Sequence, residues 1–155
     1  MPKDLNSRTK VVHYVCAALL LVLLVMQFTP FWHIPESGEA VSIGGYIWFP
    51  TEHTDLTSYL QETISEDFLV NNVLIPCILM LVLSAFGIVL CVIKAGDLLP
   101  SLFPAACGLS GIIGFLAKPA LRLGSGWVWM LLISIVLLAG GVYAIWLQWK
   151  ATQAA

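Results

Sequence analysis

The stretch VVHYVCAALLLVLLVMQFTPF, Val11–Phe31, decides the fold. It is 21 residues long and contains no Lys, Arg, Asp or Glu. About 20 apolar residues in a helix rise ~30 Å, the thickness of a bilayer's hydrocarbon core. Three further stretches repeat the pattern: Val73–Ile93, Leu98–Ala117 and Trp127–Leu147. They too lack charged residues, and the four together make up more than half of the chain. The reading is an all-α membrane protein, a four-transmembrane-helix bundle. What remains is one long loop, two short connections and two tails, which leaves room for a single membrane domain over residues 1–155.

Charge is distributed unevenly around these spans. Residues 32–72 hold seven acids (Glu36, Glu39, Glu52, Asp55, Glu62, Glu66 and Asp67) and no Lys or Arg. The rest of the chain has seven bases against two acids, Asp4 and Asp97, a net +5. Basic residues prefer the cytoplasmic side of a membrane. With both termini inside, Lys3, Arg8, Lys10, Lys94 and Lys150 face the cytoplasm, and only Lys118 and Arg122 face out. The acidic loop is then extracytoplasmic. The first span reads as an uncleaved anchor, because its apolar run is long and no small-x-small site closely follows it. All four cysteines (Cys16, Cys77, Cys91 and Cys107) lie within spans, and no Asn-x-Ser/Thr sequon occurs. Both facts suit a bacterial inner membrane.

The outer loop predicts a small cap. Val41–Phe49 alternates around Gly44-Gly45, the pattern of a short β-hairpin that places Trp48 among its apolar residues. In Asp55–Phe68, Leu56, Tyr59, Leu60, Ile64 and Phe68 recur at helical spacing. The polar side of that helix is acidic, and anionic lipid repels it. Its apolar side is therefore expected to pack on protein.

The third span is rich in small residues. Ala106, Ser110 and Gly114 form a small-xxx-small ladder, and Ser110 and Gly111 are expected at close helix–helix contacts. Gly140-Gly141 in the last span is a second close-approach site. Trp127 and Trp129 at one end and Trp146 and Trp149 at the other suit the two membrane interfaces.

Chemistry-bearing constellations are scarce. His13 is the one residue inside the spans that titrates near neutral pH, and it lies near the cytoplasmic end, within reach of headgroups. Gln27 is the strongest other polar group, expected to bond a neighbouring helix or backbone. A membrane disulfide oxidoreductase needs a C-x-x-C-type pair, a membrane aspartyl peptidase needs two facing carboxylates, and the glutathione-using four-helix enzymes use Arg and Glu in their spans. This chain has none of these. Glu52, His53 and Asp55 cluster three metal-ligand types, but on a loop with loose spacing, which reads as solvated. No cofactor and no nucleic-acid partner are indicated.

The order of parts resembles the architecture of claudin-type tetraspans. Trp32 and Gly45-Tyr46-Ile47-Trp48 look like that family's outer-loop Trp and Gly-Leu-Trp. The resemblance implies four spans with β-structure in the first outer loop. The cysteine pair of that loop has no counterpart here, so the likeness is one of architecture alone. The functional expectation is a non-catalytic accessory or scaffolding subunit of a larger integral membrane complex such as a transporter, in contact with membrane lipids. The alternative is a small homo-oligomeric channel or transporter.

Overall fold

In the computed structural model the described residues are 3–28, 32–33, 40–41, 75–117 and 126–153. Four helices dominate: α1 (Lys3–Phe28), α2 (Ile75–Ile93), α3 (Leu98–Ala117) and α4 (Gly126–Gln153). α3 covers the residues that hydropathy alone marks out. α1 and α4 are each long and apolar enough to cross a membrane, over Asp4–Phe28 and Val128–Gln153. Ile78–Ile93 and Leu98–Gly114 are shorter apolar helices.

The helices form a ring in chain order. α1 packs on α2 and α4, α3 packs on α2 and α4, and α1 meets α3 only slightly across the centre. Neighbours run antiparallel. The α2–α3 turn, Lys94–Asp97, is too short for any other arrangement. Its first residue still donates to Leu90 O at 2.9 Å, and Asp97 N closes the turn on Lys94 O at 3.1 Å. Asp97 then occupies the position before α3, an N-cap place that Asp favours. Pro104 sits inside α3, where its missing N–H removes one helical bond.

The core is a column of Leu20, Leu23, Met80, Met130, Leu137 and Leu147, all nearly inaccessible. The outward faces are apolar as well: Val25, Phe86, Val89, Ile113, Val136 and Trp149 are exposed. A groove of about 250 Å³ between α1 and α2 is lined by Leu24, Phe28, Leu81, Val82, Ala85 and Phe86. A helix apolar on both its inner and outer faces suits a lipid solvent better than water.

Two local findings differ from the sequence reading. Residues 3–10, expected as a short polar tail, continue α1 by about two turns. Thr9 is fully buried there and donates to Leu5 O at 2.8 Å. The tail is helical because it packs under the α2–α3 turn. The second finding is an antiparallel pair, β1 (Trp32–His33) with β2 (Ala40–Val41), in register Trp32 with Val41 and His33 with Ala40. The expected hairpin turn at Gly44-Gly45 and the expected helix Asp55–Phe68 lie outside the described residues, so the cap is not part of the fold described.

Candidate functional site

Buried polar side chains gather at the end of the bundle where α1 begins and α2 turns into α3. His13 is fully buried. Its headgroup reach, expected from position, does not hold, because the added turns of α1 and the α2–α3 turn cover it. Gly96 N–H donates to His13 Nδ1 at 3.0 Å. A ring nitrogen that accepts from a backbone N–H carries no proton, so the ring is the neutral tautomer with its proton on Nε2. That proton points to Ser101 Oγ of α3 at 2.8 Å. From α4, Gln148 Nε2 donates to Gly96 O at 3.0 Å and to Asp97 O at 2.5 Å. One short turn is thus gripped by His13 on its N–H side and by Gln148 on its C=O side. The result ties all four helices at one level.

Gly96 is required at the centre of this clasp. Its φ is +106°, a region that disfavours side chains. A Cβ there would also meet Asn6 Oδ1 at 2.7 Å and Lys10 Cε at 3.4 Å. A glycine just past a helix end at positive φ is a common way for helices to stop. This was the one sequence signal that could have located the clasp. Ser101 and Gln148 carried no such signal, since isolated polar residues in apolar spans fit many roles.

A Ser beside a His invites comparison with a nucleophilic pair. A serine nucleophile needs a ring nitrogen that accepts its proton, with the other nitrogen donating to an orienting group. Here the nitrogen facing Ser101 is the donor and the other is the acceptor. The geometry holds the ring in place and leaves the hydroxyl unactivated. Among the described residues no group of three His, Cys, Asp or Glu converges on a metal position. Cys16, Cys91 and Cys107 are buried free thiols.

The second cluster is the α3–α4 crossing. A Cβ on Gly108 would strike Ser134 O and come within 2.5 Å of Leu138 N, which is backbone against backbone. Gly111 lies against the Ser134 side chain, and Gly141 against Ala105, whose N would be 2.6 Å from an added Cβ. Gly140 faces α1 instead, at Cys16 Sγ. Of the small residues singled out on α3, Gly111 and Gly114 are buried, while Ala106 and Ser110 are half-buried. The tightest approach thus runs through Ala105, Gly108 and Gly111. Ser84 and Ser134 turn their hydroxyls back to Met80 O and Met130 O on their own helices, which satisfies them without a ligand. Gln27 is buried, and its Nε2 has no partner among the described residues.

Trp129, Trp146 and Trp149 are exposed at the helix ends. Trp146 stacks on Tyr143 with centroids 5.8 Å apart, and Lys150 Nζ lies 5.1 Å over the Trp146 ring. Trp48, Leu56, Tyr59, Leu60, Ile64 and Phe68, together with Glu52, His53 and Asp55, lie outside the described residues. Comparison with known families, curated proteins and solved structures gives no match.

Proposed function

We propose that this chain is a four-span bacterial inner-membrane protein and a non-catalytic accessory or scaffolding subunit of a larger membrane complex such as a transporter. Both termini lie in the cytoplasm, and the acidic segment 32–72 faces outward as the docking cap. One observation supports this reading most. Large apolar side chains cover the outward faces of all four helices, while the buried polar side chains among the described residues are all neutral. Membrane catalysts and pumps keep ionisable groups in the bundle for a reason, since such groups are costly there. Here the imidazole of His13, buried among the described residues, is spent on holding helices together. The helices of 19 and 20 residues rise ~29–30 Å, enough for a bilayer core.

Native purification in mild detergent with intact-complex mass spectrometry tests the proposal. The expected result is a stoichiometric larger partner that is lost when Leu60→Asp and Ile64→Asp are combined and kept in Glu62→Gln. A single species of several identical copies would replace the accessory reading with a homo-oligomeric channel.

A further inference from the structure

The clasp at the start of α1 depends on the charge of one ring. Gly96 N–H reaches His13 Nδ1 only while that nitrogen keeps its lone pair. We propose that His13 is a proton-operated latch: neutral, it locks the α2–α3 turn onto α1, and protonated at Nδ1 it releases that turn and loosens the hold of α4 through Gln148. The inference stands apart from the accessory-subunit reading, and either can fail without the other.

The chemistry is direct. A proton on Nδ1 turns the acceptor into a donor facing another donor. The Gly96 N–H then loses its acceptor, and the ring can no longer sit where it does. The same residue supplies the carbonyl that Gln148 holds. Gly96 is the pivot, because at a φ of +106° it carries both the N–H that His13 accepts and the C=O that Gln148 holds. Releasing it on one side therefore disturbs the bond on the other.

The surrounding charges allow the second state to exist. On α1, the Lys10 stem lies against Gly96 and its ammonium end is exposed. On the turn, Lys94 and Asp97 are both exposed. Asp97, on the turn itself, is the counter-ion available to an imidazolium that swings free. α3 presents only Ser101. α4 presents Gln148, with Lys150 turned outward over Trp146. Asp97 directly follows Gly96 and is exposed at this end of the bundle.

The experiment uses the full-length chain in lipid nanodiscs. Hydrogen exchange of the 94–97 turn, corrected for intrinsic rates, is compared at about pH 8 and about pH 4, a span wide enough to include a displaced imidazole titration. Protection of the turn should fall roughly three- to tenfold at the lower pH, the equivalent of about one net hydrogen bond. His13→Asn offers an amide oxygen to the same N–H and cannot titrate, so its protection should not respond to pH. Equal protection of the parent at both pH values would overturn the latch. So would the same fall in His13→Asn, which would assign the response to another group. Should His13→Asn not fold, imidazole ¹⁵N shifts of the parent decide the matter. Protonation of Nδ1 that coincides with the loss of protection supports the latch, and an Nδ1 that stays unprotonated while protection falls overturns it.

Discussion

Replacing Gly108 with Ala should weaken the bundle by up to about 2 kcal/mol, although alanine is the better helix former. The added Cβ would sit 2.5 Å from Leu138 N and 3.0 Å from Leu138 Cα, and closer still to Ser134 O. Non-bonded carbon contacts are comfortable near ~3.5–4.0 Å, so the backbones of α3 and α4 would part by about 1 Å. A gap of 0.5–1 Å forfeits roughly a quarter to a half of each dispersion contact it opens. That loss spreads along the most extensive helix pairing among the described residues. Overpacking of this kind costs about 1–3 kcal/mol, against a gain of about 1 kcal/mol from helix propensity. Gly140→Ala is the matched control. Its Cβ meets only Cys16 Sγ, at 2.9 Å, the tip of a side chain that can turn away. Reversible unfolding in mixed micelles, followed by circular dichroism, should place Gly108→Ala below the parent and Gly140→Ala at or above it. Equal stability of the two variants would refute the close-crossing account.

Gly111→Leu should disrupt the α3–α4 pairing, because Gly111 faces Ser134, whereas Leu132→Phe on an exposed face should be tolerated; gel filtration in detergent reads both. Gly96→Ala should lower stability by about 1–3 kcal/mol through its left-handed backbone alone, measurable by the same unfolding assay. For orientation, a cysteine placed at Ser37 in a Cys-free background should react with an impermeant thiol reagent added outside. A reactive cysteine at Ala154 would invert the topology.

The helices were legible because long, uninterrupted apolar runs leave little freedom. Pro30 and Asp97 bracket runs that end near the helix limits at Phe28 and Leu98. The interior was less legible, for two physical reasons. α3 carries small residues on more than one face, and composition does not say which face meets α4. Residues 108 and 110 lie ~200° apart around a helix, so choosing Ala106, Ser110 and Gly114 as the ladder turns the contact away from Ala105 and Gly108. The fate of His13 depended on residues 3–10 being helical. Their polar composition suggested a tail, and only packing beneath the α2–α3 turn makes them a continuation of α1.

The two clusters divide the work of holding four apolar helices together. In the four-span membrane reading proposed above, lipid tails are as apolar as leucine, so burying Leu20 or Leu137 against a neighbour gives little preference over burying it in lipid. Something else must choose the partners and their register. Between α3 and α4 that choice is made by shape, since Gly108, Gly111 and Gly141 let the two helices approach closely at Ser134, Leu138 and Ala105. Around the rest of the ring it is made by polar bonds that lipid cannot replace. His13 fixes α1 to the turn and to α3, and Gln148 fixes α4 to the same turn. Shape complementarity does not respond to solvent, whereas a bond to an imidazole lone pair does. The α3–α4 pair is therefore the permanent half of the bundle, and the grip of α1 on the α2–α3 turn is the half that a proton can change.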